Sequence, residues 1–595
     1  FYQKKVGPAV SSEGPVTVRL IRQFELDEGL QYLDQEWNET YFEYDDPILS
    51  KRLASHSNEK MRDIVETIQA EQDSLIRLPR NKSIIVQGSA GSGKTTVALH
   101  RLAYLFYEES KLDPTRFIVF GPNRIFLNYV HKVLPGLGVD GIEQKTFQEW
   151  AVELLNIGSF VFTEPFETMQ IIEKSEPLVA NRYLLKSKIK GSLPFKKALL
   201  RYLEDYEQAC FPQDEVRIAI DQDEDYIVSV EQMRRWFCVD YKHLPIVKRR
   251  EFILNVIERY VRNLAERSQT SSKTKIRKQL NGLRSRWKEP EALEIYFDFM
   301  SSELNYSYVA DLIDLEGYRF LCRHHRFMRE NNELEHEDLA PLLYIKQYIS
   351  GEIGARRIQN KEVKYVSYQY AVIDEGQDYS PFQIELIQSV VSPGSVMILG
   401  DLGQSIFSFR GIHRWDEITS ALGDCTYLEL RTSYRSTVEI TSFASRLIES
   451  WSEGKFALSQ PILRHGREPD VYEEERAAWL SRVRGALQGA IDRNYGNIAL
   501  IVKTPKEALE LKKGLGREDA TVLLDSADEY AGGIVILPAY LSKGIEFDAV
   551  VVTDASAGIY GDNVSDRKLL YVACTRALHE LHVISNGMLS AAFAV

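Results

Sequence analysis

The sequence predicts an α/β protein built on parallel sheets, and three observations support this prediction. Seven short apolar runs end in turns instead of alternating with polar residues, which is typical of strands buried on both faces. Helical patterns separate most of these runs, as parallel strands require. The long segment 151–344 is instead rich in helical spacing and poor in such runs. The seven runs are Ser83–Gln87, Phe117–Phe120, Ala371–Ile373, Val396–Leu399, Ile498–Val502, Ile534–Leu537 and Ala549–Val552.

The composition excludes several classes of protein. With 44% hydrophobic and 27% charged residues among 595, the chain is not mainly disordered. No apolar run approaches the roughly 18 residues that span a bilayer, so we expect no membrane partner. The five cysteines form no CxxC pair, which argues against a disulfide framework or a structural zinc site and favours a reducing, cytoplasmic location. They are Cys210, Cys238, Cys322, Cys425 and Cys574.

The apolar runs fall into two groups, and this grouping predicts the domain organisation. One α/β domain occupies 61–150 and resumes at 345–423, and a second occupies 424–595. The insertion 151–344 divides the first domain. Residues 1–60 are interpreted as the remnant of a preceding N-terminal domain.

Two local patterns predict structure within the insertion. The segments Val216–Ile220 and Tyr226–Val230 flank an acidic turn and predict a β-hairpin. A recurrence of apolar residues at every fourth position predicts one apolar face of a helix. These residues are Phe252, Val256, Tyr260 and Leu264.

The insertion also contains a local excess of positive charge. Residues 242–288 hold 14 Lys and Arg against 3 Asp and Glu, whereas the whole chain has a net charge of −13. One interpretation is a surface that binds an acidic partner, either nucleic acid or an acidic protein groove. The other is a solvated helix face balanced by acidic neighbours in space.

A phosphate-binding loop is the strongest single motif. The motif GxxxxGK[ST] follows one predicted strand and precedes a helical pattern, which is the context that such a loop requires. Glycines let backbone N–H groups surround phosphates, and the helix N-terminus adds positive potential. Lys94 is expected to reach the β- and γ-phosphates, and the Thr95 hydroxyl to ligate Mg²⁺. The motif comprises Gly88, Ser89, Ala90, Gly91, Ser92, Gly93, Lys94 and Thr95.

A pair of carboxylates ends a second buried strand. In the segment Val372–Asp378, Asp374 and Glu375 follow the apolar run directly. Asp374 is expected to hold Mg²⁺ through water, and Glu375 to orient and deprotonate the attacking water. Together with the phosphate loop, the pair predicts a nucleotide-hydrolysis site that uses ATP and Mg²⁺.

Several ordered segments resemble the motifs of UvrD/Rep-type superfamily 1 helicases. The resemblance implies two RecA-like P-loop domains with parallel sheets and a mostly helical insertion arm. The matching segments are Gln72 upstream of the phosphate loop, Asp374–Asp378, Leu399–Gly411, Leu430–Ser436, Ser542–Asp548 and Arg567–Ala577.

The resemblance implies roles for residues at the matching positions. Gln72 would contact the adenine edge, and Tyr434 would stack on the base. Thr96 stands where these helicases often carry an arginine beside the base. Glu546 would hold the ribose, and Gly544 belongs to the same motif.

Three further residues would act on the phosphates. Gln404 would contact the γ-phosphate and couple it to motion. Arg435 and Arg576 would act as arginine fingers from the second domain. Because these fingers lie across a cleft from the phosphate loop, ATP binding would close the cleft.

A closer resemblance is to the HelD family, bacterial ATPases that bind RNA polymerase and release it from nucleic acid. It is carried by the segments Thr67–Gln72, Phe120–Asn123, Asp378–Gln383 and Pro538–Asp548. It implies RNA polymerase core as the partner of a monomeric protein. Residues 1–60 resemble the stretch after the family's N-terminal coiled-coil arm, and we expect that arm to be missing from this sequence.

Three features favour a polymerase remodeller over a DNA helicase. About 105 residues separate the fourth and fifth motifs, which leaves little room for the large insertion of unwinding enzymes. Gly121–Arg124 replaces the strand-contact motif expected after the second strand. The insertion 151–344 has the size and helicity of a projecting arm.

Other features favour a translocase that moves 3′ to 5′ on single-stranded DNA in repair or recombination. Phe407 and Phe409 occupy positions where helicases stack bases, although aromatic residues next to a strand more often pack into the core. Thr146-Phe147 is a second candidate for strand contact. DNA therefore stays a candidate partner. A nucleotide-dependent scaffold without turnover is disfavoured, because the catalytic residues are all present.

Overall fold

The computed structural model describes residues 7–11, 14–18, 20–27, 30–38, 70–109, 111–163, 165–220, 225–267, 273–359, 362–407, 409–433, 435–452, 460–461, 464–524, 530 and 532–593. Among these residues, no helix combines the length and the apolarity needed to cross a lipid bilayer. The first strands form two antiparallel pairs, Gly7–Ser11 with Gly14–Val18 and Leu20–Asp27 with Leu30–Asn38.

The first α/β unit is built on a six-stranded parallel sheet. Its strands are β1 (Ser83–Gly88), β2 (Phe117–Phe120), β3 (Glu143–Lys145), β4 (Tyr370–Ile373), β5 (Val396–Gly400) and β6 (Cys425–Leu430). They lie in the order β6-β1-β5-β4-β2-β3. Every residue of β1, β2, β4 and β5 is buried, which explains why these strands are continuous apolar runs.

The second α/β unit is built on another six-stranded parallel sheet. Its strands are β7 (Asp470–Glu474), β8 (Asn497–Val502), β9 (Ala520–Val522), β10 (Gly533–Pro538), β11 (Phe547–Val552) and β12 (Ala577–Asn586). They lie in the order β7-β12-β11-β8-β10-β9. All seven apolar runs are strands of these two sheets, which confirms the predicted α/β fold class with parallel sheets.

One predicted boundary, at 423/424, is wrong for the strand that follows it. Strand β6 lies within the range assigned to the second unit, yet it pairs in parallel with β1 of the first sheet. Most of its residues are only half-buried, as expected at a sheet edge, and Thr426 and Glu429 interrupt the apolar signature that located the other strands.

Four helices precede or enter the insertion. The turn before β1 follows α1, and the phosphate loop leads directly into α2. A capping box at Thr146 starts α4, since its side chain accepts a hydrogen bond from Glu149 N and the Glu149 carboxylate accepts one from Thr146 N. These helices are α1 (Ala70–Ile76), α2 (Lys94–Glu108), α3 (Arg124–Gly136) and α4 (Phe147–Leu155).

The insertion is mostly helical, as predicted. The predicted hairpin is also confirmed, with Val216–Ala219 antiparallel to Asp225–Val228. A short parallel pair, Val161–Thr163 with Glu333–Glu335, joins the two ends of the insertion. Its helices are α5 (Pro165–Lys174), α6 (Pro177–Lys190), α7 (Leu193–Ala209), α8 (Val230–Arg235), α9 (Ile246–Arg267), α10 (Lys273–Arg286), α11 (Ala292–Ser301), α12 (Tyr306–Val309), α13 (Leu315–Glu330) and α14 (Leu339–Ser350).

Helices α4 and α14 run through the predicted boundaries at 150/151 and 344/345, so the insertion begins and ends inside helices.

The remaining helices flank the two sheets. Ser380 and Thr504 form capping boxes at the starts of α15 and α19, each followed by a proline at the first helical position. They are α15 (Pro381–Ser389), α16 (Asp416–Leu422), α17 (Val438–Ser452), α18 (Arg476–Asp492), α19 (Pro505–Leu515) and α20 (Val564–Cys574).

The insertion packs against the first sheet over a wide area. One buried cluster contains Leu199 and Ile257 from the insertion together with Ile118, Ile373 and Ile398 from strands β2, β4 and β5. The inner part of the insertion is therefore part of the core of the first unit. The expectation of a projecting arm is corrected to this extent.

Helix α9 buries a different face from the one predicted. Its buried row is Ile253, Ile257 and Val261, whereas Phe252 and Tyr260 are 43% and 54% exposed. Two adjacent rows with the same four-residue spacing compete for the core on this helix. The aliphatic row is buried, and the aromatic row lies at the rim, where a tyrosine hydroxyl can reach water.

Candidate nucleotide-hydrolysis site

The phosphate loop leaves β1 and enters α2 through a tightly constrained turn. Gly91 and Gly93 have φ angles of 77° and 75°, a left-handed conformation that favours glycine. A Cβ atom at Gly88 would lie 2.5 Å from Ser92 Oγ and Lys94 Cγ. The loop thus places backbone groups around an open curve at the start of α2, which is the geometry that receives phosphates.

The side chain of Lys94 is held in place by backbone oxygens of the phosphate loop. Its Nζ donates hydrogen bonds to Gly88 O at 2.7 Å and to Ser89 O at 3.1 Å. Burial lowers the pKa of Lys94, and the charges of Asp401 and Glu375 oppose this shift. The ammonium group is therefore close to carboxylates from other strands.

The two predicted metal ligands are in direct contact. The Thr95 hydroxyl donates a 2.5 Å hydrogen bond to Asp374 Oδ2, joining the start of α2 to the end of β4. Burial and the neighbouring Glu375 charge raise the pKa of Asp374 to about 6, and the Thr95 hydrogen bond only partly offsets them. Two hard oxygen ligands thus lie together beside the phosphate loop, as Mg²⁺ prefers.

Glu375 occupies a strained position directly after Asp374. Its φ angle of 52° is left-handed, which is uncommon for a residue other than glycine and typical of functional sites. Gln377 Nε2 donates to Glu375 Oε2 at 2.6 Å. Burial alone would raise the pKa of Glu375, but nearby cations, led by Lys543 and Lys94, outweigh it and lower this pKa to about 2.

Lys543 is a site residue that the sequence did not single out. Its Nζ donates to Asp378 Oδ2 at 2.5 Å and to Gln404 O at 3.0 Å, and it lies 3.5 Å from Glu375 Oε2. Its presence in the motif Ser542–Asp548 was the available signal.

Gln404 and Arg576 meet between the two units. Arg576 Nη2 donates to Gln404 Oε1 at 2.5 Å, and Gln404 Nε2 donates to Asp401 Oδ2 at 2.9 Å. Burial and the nearby Arg435 charge lower the pKa of Arg576 to about 10, which leaves the guanidinium protonated at neutral pH.

Arg435 approaches the phosphate loop from the other side. Its Nη2 lies 2.6 Å from Glu546 Oε1, so the predicted finger and the predicted ribose ligand form an ion pair. A Cβ atom at Gly91 would lie 2.7 Å from Arg435 Cβ. The absence of a side chain at Gly91 is what lets the second unit come this close.

Three other residues complete the rim of the site. Gln72 Nε2 donates to Ser92 O at 3.1 Å, which ties α1 to the phosphate loop. Asn123 caps α3 and donates from Nδ2 to Lys543 O at 3.2 Å. Gly544 has a φ angle of 80° and faces Phe126 of the first unit.

The predicted site residues therefore converge on one cleft between the two sheets, with one exception. Tyr434, the predicted base-stacking residue, lies outside the described residues. Ser89, Ala90 and Thr96 lie in or beside the loop, but their predicted nucleotide contacts stay predictions. Phe407 and Phe409 are half-buried against the core of the second unit, with ring centroids 6.1 Å apart.

The residues present fit ATP with Mg²⁺. The open curve at Gly88 would be filled by any Cβ atom, and the hydroxyl–carboxylate pair of Thr95 and Asp374 offers hard oxygen ligands beside it. Three cations, Lys94, Arg435 and Arg576, surround the same space. This donor set suits a metal-bound polyphosphate.

Comparison with known proteins agrees with this geometry. Residues 68–414 match the family described as the UvrD/REP helicase N-terminal domain, and residues 533–584 match the UvrD-like helicase C-terminal domain.

Two relatives match short segments. The mitochondrial ATP-dependent DNA helicase HMI1 of Saccharomyces cerevisiae is 37% identical over 87 residues, 14% of this chain and 12% of that protein. The ATP-dependent DNA helicase UvrD1 of Mycobacterium leprae is 31% identical over 94 residues, again 14% of this chain and 12% of that protein.

A solved structure also matches a segment of the chain. It is the C-terminal domain of a possible DNA helicase from Lactobacillus plantarum, with 31% identity. The match covers 27% of this chain and 92% of that one, with a TM-score of 0.23.

Proposed function

The chain belongs to the UvrD/REP helicase family, and on that premise we propose that it is an ATP-driven remodeller that binds RNA polymerase and releases it from nucleic acid. The observation that carries the motor part of this proposal is the convergence of Lys94, Asp374, Glu375, Arg435 and Arg576 on one cleft. The first three come from one sheet unit and the arginines from the other.

The hydrolysis step follows from the charges of these residues. Glu375 is ionised at neutral pH and accepts the proton of the attacking water. The water oxygen forms a bond to the γ-phosphorus of ATP as the bond from this phosphorus to the bridging β–γ oxygen breaks, and ADP leaves with the electron pair of the broken bond. Lys94, Arg435 and Arg576 stabilise the negative charge on the transferring phosphoryl group.

Thr95 and Asp374 would hold Mg²⁺, which supplies charge neutralisation at the β- and γ-phosphates. Neighbouring protein side chains position the catalytic groups themselves. Gln377 orients Glu375 through a 2.6 Å hydrogen bond, and Asp401 orients Gln404 at 2.9 Å. The catalytic groups are thus aligned by neighbours from the same sheet edge.

Two features support a protein complex as the target rather than a DNA strand. Between Arg435 and Lys543, the described residues form helices and strands of the second unit, and four of these strands belong to its sheet. This segment therefore leaves little room for the large insertion of unwinding enzymes. Asn123, which stands where a strand-contact motif was expected, is engaged with Phe126 and Lys543. The choice of RNA polymerase itself comes from the sequence resemblance to the HelD family.

The basic surface of the insertion supports the second candidate function, translocation on DNA. Some of its cations are neutralised locally, as in the 2.7 Å pair of buried Arg249 with Glu207 and the 2.9 Å pair of Arg284 with Glu258. Others are exposed and suit a phosphate backbone. The exposed cations among the described side chains include Lys242, Lys248, Arg259, Arg262, Arg267, Lys275, Arg277, Lys278, Arg286 and Lys288.

Pull-down with RNA polymerase core separates the two candidates. The proposal predicts that the protein retains core polymerase in the pull-down. It also predicts that the protein does not separate the strands of a tailed duplex DNA when ATP is added. Absence of polymerase together with robust, ATP-dependent strand separation would overturn the proposal and favour the helicase. A variant in which Arg259, Lys275 and Lys278 are changed to Glu should abolish DNA binding if these residues carry the second function.

A further inference from the structure

Helix α5 of the insertion docks onto the second α/β unit. The ring of Phe166 stacks on that of Tyr540, with centroids 4.1 Å apart and planes 17° apart. Phe166 is 4% exposed and, with Met169, belongs to the buried cluster of the second unit rather than to that of the insertion. The insertion therefore reaches across the molecule to a residue of the second unit.

The far end of α5 makes a second contact with the same unit. Glu173 Oε2 lies 3.7 Å from Lys503 Nζ, which in turn lies 2.6 Å from Asp566 Oδ1 at the start of α20. Lys503 Nζ also donates to Ile559 O at 2.9 Å. Both ends of α5 are thus fixed to the second unit.

The next part of the insertion is fixed to the first unit. Phe382 N, at the start of α15, donates to Gly191 O at 3.0 Å, directly after α6. Lys196 Nζ lies 2.5 Å from Glu385 Oε1 of α15. The insertion therefore bridges the two units, and α15 is separated from Asp374 and Glu375 only by the short segment 376–380.

Tyr540 lies in the turn that presents Lys543. The turn is a 3₁₀ helix, Ala539–Ser542, whose other residues are buried. Lys543 follows at once and extends to Glu375 and Asp378 of the first unit. A side chain that packs on Tyr540 therefore packs on the base of the segment that carries the Lys543 ammonium to the catalytic carboxylate.

We propose that Phe166 is a positioning residue for ATP hydrolysis, which acts by stacking on Tyr540 and thereby fixing Lys543 against Glu375. A cargo that shifts the insertion would move Phe166 and so alter hydrolysis. This inference rests on the proposed ATPase function. Aromatic stacking adds to simple burial at such a contact, so loss of the ring weakens the turn specifically.

A double-mutant cycle tests this route. We expect Phe166→Ala to lower kcat for ATP about tenfold with little change in KM, and Phe166→Tyr, which keeps the ring, to stay within about twofold of the original. In a Lys543→Ala background, Phe166→Ala should add less than about twofold. Independent, multiplying effects of the two changes would overturn the proposal, as would an unchanged kcat in Phe166→Ala.

Amide hydrogen exchange at residues 539–544, measured without nucleotide, tests the positioning itself. Phe166→Ala should speed exchange there, and Phe327→Ala, which removes a 57% exposed ring from the same insertion, should not. Unchanged exchange in Phe166→Ala would overturn the proposal. Absence of ATP turnover in the unaltered protein would instead contradict the proposed function, and the exchange measurement would still decide whether Phe166 positions the turn.

Discussion

Lys543 Nζ, from the second α/β unit, lies 3.5 Å from Glu375 Oε2 of the first. The contact joins the two units at the residue assigned as catalytic base, and it helps to keep that carboxylate ionised. The relative position of the units therefore affects both the geometry and the charge of Glu375.

Lys94→Ala should lower ATP turnover by at least about 100-fold, because the phosphates lose their main cation within the loop. Steady-state hydrolysis measures the loss. Lys111→Ala, which changes an exposed lysine in the same unit, is the matched control and should leave turnover unchanged. Continued hydrolysis by Lys94→Ala would mean that the nucleotide site is misassigned.

Glu375→Gln should bind ATP and hydrolyse it at least about 100-fold more slowly, since the amide cannot accept the proton of the attacking water. Nucleotide retention after rapid gel filtration distinguishes this from a loss of binding. Glu109→Gln alters a half-exposed carboxylate that pairs with Arg80 at 3.1 Å and should behave like the unaltered protein. Rapid release of ATP from Glu375→Gln would contradict the assignment of the base.

Arg576→Lys should lower kcat at least about 100-fold even though the positive charge is kept. Lysine cannot reproduce the hydrogen bonds that Arg576 donates to Gln404 Oε1 at 2.5 Å and to Val572 O at 3.2 Å. Single-turnover hydrolysis isolates the chemical step. The control is Arg493→Lys, whose partner Glu580 lies 3.2 Å away outside the cleft. Normal single-turnover rates in Arg576→Lys would exclude an arginine-finger role.

The lowered pKa of His325 leads to a prediction of how the stability of the insertion depends on pH. Burial, then the charges of Lys190 and His324, hold the pKa of this imidazole well below its usual value of 6.5. The folded state keeps His325 neutral, whereas the unfolded state takes up a proton below pH 6.5. The free energy of unfolding that depends on neutral His325 is therefore fully present well above pH 6.5. It decreases as the pH falls, by about 1.4 kcal/mol at pH 5.5.

Hydrogen exchange in α13, which contains His325, measures this loss as the free energy of local opening. The variant His325→Phe should lose less stability than the unaltered protein between pH 7.5 and pH 5.5, by about 1.4 kcal/mol. Changing the exposed His243 to Phe is the control and should leave the loss as it was. Equal losses in the His325 variant and the unaltered protein would show that another group is responsible.

Much of the fold and site was predictable from local sequence. Strands buried on both faces must be continuous apolar runs, and the phosphate loop needs glycines at fixed spacing. Strand β1 and the loop Gly88–Thr95 can therefore be recognised from their own sequence, without knowledge of what they pack against. The edge strand β6 was misassigned because its residues are mostly half-buried and include Thr426 and Glu429, so it is not a continuous apolar run. On α9, the row through Phe252 and the row through Ile253 have equal spacing, and only the tertiary packing decides between them.

The contacts that link the units were not predictable in this way. Phe166 and Tyr540 lie far apart in the chain, and each is an ordinary aromatic residue in its own segment. Lys543 stands in a motif, but its ion pair with Asp378 depends on how the two sheets face each other. Such pairs carry no local pattern, because they are fixed by the packing of whole units.

The most direct test of the account is release of RNA polymerase from immobilised DNA on addition of ATP. The account predicts that the unaltered protein releases stalled polymerase in an ATP-dependent manner and that Glu375→Gln binds the polymerase but releases it at least about 100-fold more slowly. Polymerase that stays on the DNA with the unaltered protein, while the same preparation hydrolyses ATP and separates tailed duplexes, would contradict the account.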